Sequence, residues 1–324
     1  MTGESATSAF QAVRTKLIGS LAGRRFRAIE EVGEYLSGMS VTPLCQGNLA
    51  AFCAFELALL DLSCKYWDQP LASVFGTHWN NPPPYSAVIP LLSHDKLEAF
   101  LSLLQEKEMR IVKIKVGTRI DPQVFERAVS VLGTAVDFRV DANGAWTERE
   151  ALQNIDLMKA YGVRAVEQPV AKENLEGLKE VTRLSGTCVI ADESVCSLAD
   201  ARKLLSMEAC HAFNVRLSKC GGVWGSLAVF EMARQGGLRC QIGCQVGESG
   251  ILSAAGRHLA GWLDDLLYLE GSFGIWALEE DIVEEDIRFG RGGKAVPLLG
   301  SGLGVRVNEE ALRRYSIERE TVRL

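Results

Sequence analysis

Apolar and polar positions follow two different periods along this chain. From Ala6 to about Phe75, apolar residues recur every three or four positions, and the stretch Leu49–Lys65 is almost wholly apolar on one side. This pattern predicts several helices, one of them buried. The segment Asn80–Pro84 then carries three consecutive prolines, which cannot continue a helix. We therefore expect a first, helical unit over residues 1–84.

Beyond residue 84 the period changes, and short apolar runs alternate with amphipathic stretches. Alternation of this kind predicts parallel strands joined by helices, and eight such units in about 190 residues favour a closed barrel over residues 85–278. The Gly-rich tail, residues 279–324, is expected to return to the helical unit. The predicted strands are Ala87–Leu91, Ile111–Val116, Phe138–Val140, Ala165–Val166, Cys188–Ala191, Ala212–Leu217, Arg239–Ile242 and Leu266–Leu269.

Composition narrows the class of protein. Hydrophobic residues make up 47% and charged residues 23% of the 324 positions, as in ordinary globular proteins. The 41 acidic and 35 basic residues are scattered and give a net charge of −6, which argues against nucleic acid or anionic lipid as a partner. No apolar run is long enough to span a membrane. Nine cysteines without a C-x-x-C pair, and no visible signal peptide, predict free thiols and a cytoplasmic location.

Charged residues stand at the ends of five successive predicted strands. Because the carboxyl ends of all strands in a parallel barrel open on one face, side chains separated by one β/α unit converge there. The steps between the later four residues are 26, 25 and 27 positions, about one unit each. An isolated aspartate at such a place is usually a turn or cap residue, but this register favours a catalytic site. The residues are Lys113, Lys115, Asp141, Glu167, Asp192 and Lys219.

The three acidic residues predict a metal site. Carboxylates that meet in a cleft repel one another unless a cation shares the site. A set of oxygen ligands without histidine or cysteine in register suits Mg²⁺ better than Zn²⁺, with Mn²⁺ as a possible substitute. We therefore expect Asp141, Glu167 and Asp192 to be metal ligands.

The lysines predict acid–base chemistry. Lys113 and Lys115 are two positions apart on one strand, so their side chains point to the same side, the barrel interior. Neighbouring ammonium groups are expected to lower a lysine's pKa toward a value useful for a base. Lys219 is expected to approach from the far side of the barrel.

Five strings of residues resemble the enolase superfamily, and in particular its muconate-lactonizing subgroup, in the same order and at similar spacing. The resemblance covers nearly the whole chain. It implies a modified (β/α)₇β barrel with an N-terminal, mostly helical α+β capping domain. It also implies Mg²⁺ held by the residues matching Asp141, Glu167 and Asp192, and acid–base lysines matching Lys115 and Lys219. The strings are Lys113-Ile114-Lys115, Asp141-Ala142-Asn143, Glu167-Gln168-Pro169, Asp192-Glu193-Ser194 and Asn214-Val215-Arg216-Leu217-Ser218-Lys219.

The same resemblance implies supporting residues and shows departures. Lys113 would assist the metal-bound carboxylate and tune Lys115, with Asn143, Asn214 and Glu193 supporting the site. The subgroup's capping domain opens with a three-stranded sheet and a mobile loop, which we expect to be missing here. At the eighth strand, where dipeptide epimerases carry an Asp-x-Asp pair that binds the substrate's ammonium group, this chain has Tyr268-Leu269-Glu270. Glu270, and Glu248 in the seventh-strand turn, are therefore candidate substrate-binding residues.

These residues predict a magnesium-dependent isomerase that acts on a small-molecule carboxylate through an enediolate, as a racemase or epimerase of an amino-acid derivative or as a cycloisomerase. A lyase resembling o-succinylbenzoate synthase would need the same residues. A catalytically impaired barrel serving as a structural or regulatory subunit is a further alternative, and a magnesium barrel acting on phosphates a weaker one. An edge left by missing strands would favour a homo-oligomer.

Overall fold

The computed structural model of the protein describes residues 2–76 and 81–322. Its first part is helical, as the apolar period predicts. Asn80, where the predicted break begins, lies outside the described residues, and residues 81–84 form neither helix nor strand. The elements are α1 (Ala6–Ala12), which runs on into a π-helical turn (Val13–Leu17) and a 3₁₀ turn (Ile18–Leu21), then α2 (Ile29–Ser40), α3 (Pro43–Gln46), α4 (Leu49–Tyr66) and α5 (Ala72–Phe75).

Helix α4 is the buried helix that the sequence predicts, and ten of its 18 residues are buried. The first backbone N–H groups of a helix have no partner inside it. Here the Glu4 carboxylate accepts hydrogen bonds from the N–H groups of Ala50 at 2.8 Å and Ala51 at 3.0 Å. Its negative charge also lies at the favourable end of the helix dipole, so the helix begins at a fixed place.

The rest of the chain forms a barrel of eight parallel strands in sequential order. The N–H of Ser86 donates to the carbonyl of Leu269 at 2.8 Å, next to a parallel bridge between Tyr85 and Leu269. This contact joins the first strand to the last and closes the barrel. The strands are β1 (Ala87–Ile89), β2 (Ile111–Lys115), β3 (Asp137–Asp141), β4 (Val163–Glu167), β5 (Cys188–Ala191), β6 (Ala212–Val215), β7 (Arg239–Ile242) and β8 (Leu266–Leu269).

One helix connects each strand to the next, and a 3₁₀ turn (Gly274–Trp276) follows β8, so the order is (β/α)₇β as predicted. Within residues 2–76 and 81–322, no helix combines the length and apolar character needed to cross a bilayer. The barrel helices are α6 (His94–Glu106), α7 (Pro122–Leu132), α8 (Glu148–Lys159), α9 (Leu175–Ser185), α10 (Leu198–Met207), α11 (Gly222–Gln235) and α12 (Gly250–Trp262).

Three strands are shorter than predicted: β1, β6 and, by one residue, β2, which ends at Lys115. β1 ends at Ile89 because Pro90 has no N–H with which to continue the ladder. β6 ends at Val215 because the chain turns there, with the N–H of Lys219 donating to the carbonyl of Arg216 at 3.0 Å. Lys219 therefore lies on a turn after β6, and not on the strand itself.

The tail contacts the helical part of the chain. The N–H of Leu71 donates to the carbonyl of Gly302 at 2.7 Å, and the N–H of Leu303 donates to Asp61 Oδ1 at 2.8 Å. Lys65 Nζ also reaches the carbonyl of Val305 at 3.2 Å. The tail thus packs on α4, and it contains a short helix, α13 (Glu309–Tyr315).

Candidate active site

The predicted metal ligands and acid–base lysines lie at or just beyond the carboxyl ends of the strands. Lys115, Asp141 and Glu167 are the last residues of β2, β3 and β4, and they are neighbours in strand register. Asp192 directly follows β5, and Lys219 lies four residues after β6. Register between parallel strands therefore brings together side chains that are far apart in the sequence.

The carboxylates of Asp141, Glu167 and Asp192 are fully buried, and each is paired with a cation. Asp141 accepts from Lys115 Nζ at 2.8 Å, and Lys113 lies 3.4 Å from both Asp141 and Glu167. Buried ionised groups need such partners, because burial without them is very costly.

The remaining contacts of these carboxylates come from the far side of the barrel. Asp192 Oδ1 accepts from Lys219 Nζ at 2.7 Å, and Asp192 Oδ2 accepts from the guanidinium of Arg216. Glu167 accepts from the side-chain amides of Asn214 at 2.7 Å and Gln241 at 2.9 Å. The carboxylates thus form one hydrogen-bonded network with residues of β6, β7 and the turn after β6.

The environment moves the pKa values of these acids in different directions. Burial raises the pKa of Asp141, and it raises the pKa of Asp192 to about 6 despite the charges of Lys219 and Arg216. For Glu167, burial is outweighed by the charges of Lys113 and Arg216, and its pKa is lowered. Glu167 is therefore the carboxylate held most firmly in its ionised form.

Lys115 and Lys219 face each other across the barrel, because β2 and β6 are four strands apart in a ring of eight. Lys219 Nζ is fully buried and donates to Asp192 Oδ1, the Asp192 carbonyl at 2.6 Å and the Asn214 carbonyl at 2.8 Å. The Lys115 side chain is 24% exposed and donates to Asp141 and to Asn143 Oδ1 at 2.9 Å. Of the two, Lys115 is the one open to solvent.

The expectation of a lowered pKa is wrong for Lys113. Burial alone would lower its pKa, but the charges of Glu167, Glu270 and Asp141 outweigh burial, and the pKa is raised. The Lys113 ammonium lies 2.6 Å from Glu270 and is held between the carboxylates. Contact with three acids thus matters more than a second lysine two residues away.

Asn143 and Glu193 form a chain of contacts behind Lys115. Asn143 accepts from Lys115 and donates its side-chain N–H to Glu193 Oε1 at 3.0 Å. Its φ of 46° lies in the left-handed region that non-glycine residues seldom adopt. Asparagine is among the residues that tolerate this region best, and such conformations cluster at functional sites.

The two candidate substrate-binding acids differ in how they are engaged. Glu270 Oε1 accepts from both Lys113 and Arg139, so this carboxylate already has two protein cations. Glu248 accepts from Ser253 Oγ at 2.8 Å and from the N–H of Gln245 at 3.2 Å. Burial raises the pKa of Glu248 to about 7 despite these bonds. The Glu248 carboxylate thus has weaker protein partners than Glu270, and it is the more available of the two to bind another group.

A cavity of about 540 Å³ opens at this end of the barrel. Asp141, Glu167, Asp192 and Lys219 do not reach its lining. Arg216 does, and it also bonds Asp192, so its side chain stands between the cavity and the Asp192–Lys219 pair. The lining combines cations, acids and an apolar wall, which include Lys113, Lys115, Arg216, Glu248, Glu270, Val88, Phe273, Trp276 and Phe289.

Sequence reasoning missed several residues of this network. Arg216 lies in one of the five segments that resemble the enolase superfamily, but its bond to Asp192 cannot be read from spacing. Gln241 pairs in register with Asn214 on the neighbouring strand, and a polar residue in an apolar strand is a signal that could have found it. Gln168 accepts from the N–H groups of Asp192 at 3.0 Å and Ser194 at 3.1 Å, and so positions Asp192.

Glu56 of α4 is a further missed residue, and it connects the helical part to the Lys219 turn. Its buried carboxylate accepts from the N–H of Val223 and from that of Trp224 at 3.3 Å, at the start of α11. At Gly222, which has a φ of 82°, a Cβ atom would overlap the Glu56 carboxylate. Glu56 therefore fixes the end of the turn that carries Lys219.

Because the Glu56 carboxyl group is buried, we expect the free energy of unfolding to fall as the pH rises. Burial raises its pKa from 4.5 to about 8 in the folded state. Between these values the unfolded chain loses the proton and the folded chain keeps it, so the free energy of unfolding should fall by about 1.4 kcal/mol per pH unit. Urea unfolding at pH 5, 6 and 7, all within this window, would measure this slope. The slope should be shallower in Glu56→Gln, and equal slopes for the two proteins would contradict the assignment.

The donor set suits a hard divalent ion, although it is turned toward protein cations in this structure. Three buried carboxylates on adjacent strands supply oxygen ligands only. Within residues 2–76 and 81–322, no three Asp, Glu, His or Cys side chains are arranged to hold a metal ion. The positive charge is supplied by Arg216, Lys113, Lys115 and Lys219. The residues therefore fit such an ion chemically, provided that a cation is displaced.

Comparison with known proteins places these residues in context. Residues 96–311 match the family model described as Enolase C-terminal domain-like. The chain is 30% identical over 276 residues to a chloromuconate cycloisomerase from Pseudomonas sp. (strain P51), covering 83% of this chain and 74% of that protein. It is 32% identical over 262 residues to an L-Ala-D/L-amino acid epimerase from Maribacter sp. (strain HTCC2170 / KCCM 42371), covering 80% and 73%.

The fold has a counterpart among solved structures. A dipeptide epimerase from Cytophaga hutchinsonii, crystallised with Mg and the dipeptide D-Ala-L-Val, superposes with a TM-score of 0.83. The superposition covers 97% of this chain and 83% of that one at 24% identity. The likeness shows that the two chains share the barrel and the helical part.

Proposed function

Since this chain belongs to the Enolase C-terminal domain-like family, we propose that it is an isomerase that removes the proton α to the carboxylate of a small molecule. The reaction passes through an enediolate and yields an epimer, a racemate or a cycloisomer. The observation that carries the proposal is the placement of Lys115 and Lys219 on opposite sides of the barrel, with three buried carboxylates between them.

The two lysines supply the proton transfers. A lysine on each side of a bound substrate can remove a proton from one face of the α-carbon and return it to the other. Asn143 holds Lys115 at the cavity, whereas Asp192 and Asn214 hold Lys219 behind it. If both lysines exchange protons, the product is an epimer; if one suffices, ring closure or loss of water can follow.

We propose Mg²⁺ as the cofactor, with Mn²⁺ as a substitute, held by Asp141, Glu167 and Asp192. When bound, the ion would supply positive charge that stabilises negative charge developing on the substrate. Mg in the similar dipeptide epimerase supports this choice. Lys113 keeps Glu167 ionised, and Gln168 fixes the backbone of Asp192, so both residues act by holding the ligands in place.

The cavity supports a substrate that carries an apolar group beside its carboxylate. Phe273, Trp276 and Phe289 form an apolar wall, and Lys115 and Arg216 provide positive charge on the lining. Such a wall contributes binding energy through buried apolar area, while the cations attract the anionic group.

Isotope exchange tests the proposed reaction and separates its alternatives. We expect a dipeptide set, incubated with enzyme and Mg²⁺ in deuterated water, to give recovered substrate that carries deuterium at the α-carbon if the enzyme is an epimerase. Chloromuconate has no hydrogen on a saturated α-carbon, so it tests the cycloisomerase alternative separately. Cycloisomerisation would appear as a lactone product. Loss of water without deuterium in the recovered substrate would replace the isomerase by a lyase. In Lys115→Met and Lys219→Met, exchange should remain for one configuration only.

A further inference from the structure

Arg216 blocks the way from the cavity to the buried part of the site. Its guanidinium bonds Asp192 Oδ2 and lies 3.5 Å from Glu167 Oε1, so it bridges two of the three acids assigned to the metal. The cavity lining includes Arg216 but neither Asp192 nor Lys219. In this arrangement Lys219 does not line the cavity, and Arg216, which does, bonds the same carboxylate as Lys219.

Apart from these two acids, Arg216 is weakly held. Among residues 2–76 and 81–322, its buried Nε atom has no hydrogen-bond partner, and Nη1 has one long contact, 3.5 Å to Gln245 Oε1. A guanidinium has five N–H donors, and a buried donor without a partner costs free energy. The side chain therefore has donors to spare for an arrangement other than the observed one.

A second carboxylate partner lies on the Gln245 side of Arg216. Glu248 borders the same cavity, and within the described part of the chain it accepts two hydrogen bonds, from Ser253 and from the N–H of Gln245. A carboxylate can accept about four hydrogen bonds. Gln245 contacts both Arg216 and Glu248. The Arg216 guanidinium would therefore have to move only past Gln245 to reach the Glu248 carboxylate.

We propose that Arg216 is a positioning residue with two carboxylate partners: it neutralises Asp192 and Glu167 in the metal-free protein, and it moves to Glu248 when a divalent ion binds. The inference rests on the proposed metal site. The movement frees Asp192 for the ion and opens the path from the cavity to Lys219. Binding of the ion and exposure of the second lysine are thereby one event.

Direct Mn²⁺ titration tests this exchange without substrate. Free Mn²⁺ is followed by its electron paramagnetic resonance signal in wild type, Arg216→Met, Glu248→Gln and the double variant. We expect Arg216→Met to bind Mn²⁺ ~10- to 100-fold more tightly, since the lost charged hydrogen bond no longer opposes the ion. Glu248→Gln should bind roughly 3- to 10-fold more weakly, because the second position is lost.

The double variant distinguishes exchange from simple charge effects. If Glu248 acts through Arg216, Glu248→Gln should change the affinity of Arg216→Met by less than about twofold. An equal weakening in both backgrounds would overturn the inference, and so would an Arg216→Met protein that binds no more tightly than wild type. Arg216→Lys keeps the charge and the fold but not the forked geometry, and should tighten binding less than methionine does.

The titration also separates the two proposals. If wild type binds Mn²⁺ and Arg216→Met is unchanged, the exchange fails and the metal site stands. If neither protein binds Mn²⁺, both the proposed metal site and the proposed exchange are overturned. Binding by Arg216→Met alone would show that Arg216 keeps the ion out of the wild-type protein, and it would overturn the exchange.

Discussion

Replacing Lys219 by methionine is expected to lower kcat by ~10²–10⁴-fold, the range for removal of a group that transfers a proton in the transition state. Lys219 is fully buried and donates to three oxygen atoms, two of them on Asp192. Methionine fills similar space but cannot carry a proton. The measurement is a steady-state comparison on the substrate identified by isotope exchange, with folding checked by circular dichroism.

The matched control for this variant is Lys172→Met. Lys172 lies in the loop after β4, and its ammonium is exposed and pairs only loosely, 3.8 Å from Glu173. We expect the control to keep wild-type kcat. A Lys219→Met protein that is folded and still turns over at the wild-type rate would remove Lys219 from the mechanism.

The second large effect is expected for Asp192→Asn. Addition of Mg²⁺ should raise the melting temperature of wild type, because a ligand that binds the folded state stabilises it. In Asp192→Asn this rise should disappear, because we expect an affinity at least about 100-fold weaker, beyond the loss seen for groups that only support a ligand. Asp192 carries the bonds to Lys219 and Arg216, so the variant should also melt lower without metal.

Asp137→Asn is the control for this loss. Asp137 begins β3 at the opposite end of the barrel and accepts from the Tyr268 hydroxyl at 3.3 Å. It should keep the response to Mg²⁺. A wild-type protein whose melting temperature ignores Mg²⁺ would favour the alternative of a structural or regulatory barrel without metal chemistry.

The fold could be predicted largely because its signals are local. Apolar runs such as Cys188–Ala191 and Arg239–Ile242 have the predicted bounds, since each is flanked by turn residues. β4 is longer than predicted because Arg164 interrupts its apolar pattern while pointing to solvent. When a strand contains an exposed polar residue among apolar ones, the apolar pattern alone does not show where the strand begins.

The site was predictable in its positions but less so in its interactions. Asp141 and Glu167 could be placed because register at strand ends follows from the β/α repeat. The raised pKa of Lys113 and the bond between Arg216 and Asp192 depend on side chains from six strands and the residues that directly follow them. Burial and charge in three dimensions set those properties, and spacing along the chain carries no information about them.

The contact between Glu56 and Gly222 has a consequence for how sequences of this fold can change. Any side chain at position 222 would collide with the carboxylate that caps α11, and a shorter residue at 56 would leave the N–H groups of Val223 and Trp224 without their partner. Positions 56 and 222 are distant in the chain, but the residue at one of them restricts which residue can stand at the other. Related chains should therefore keep the Glu–Gly pair or replace both members together, so their covariation would trace the bond between the helical part and the lysine turn.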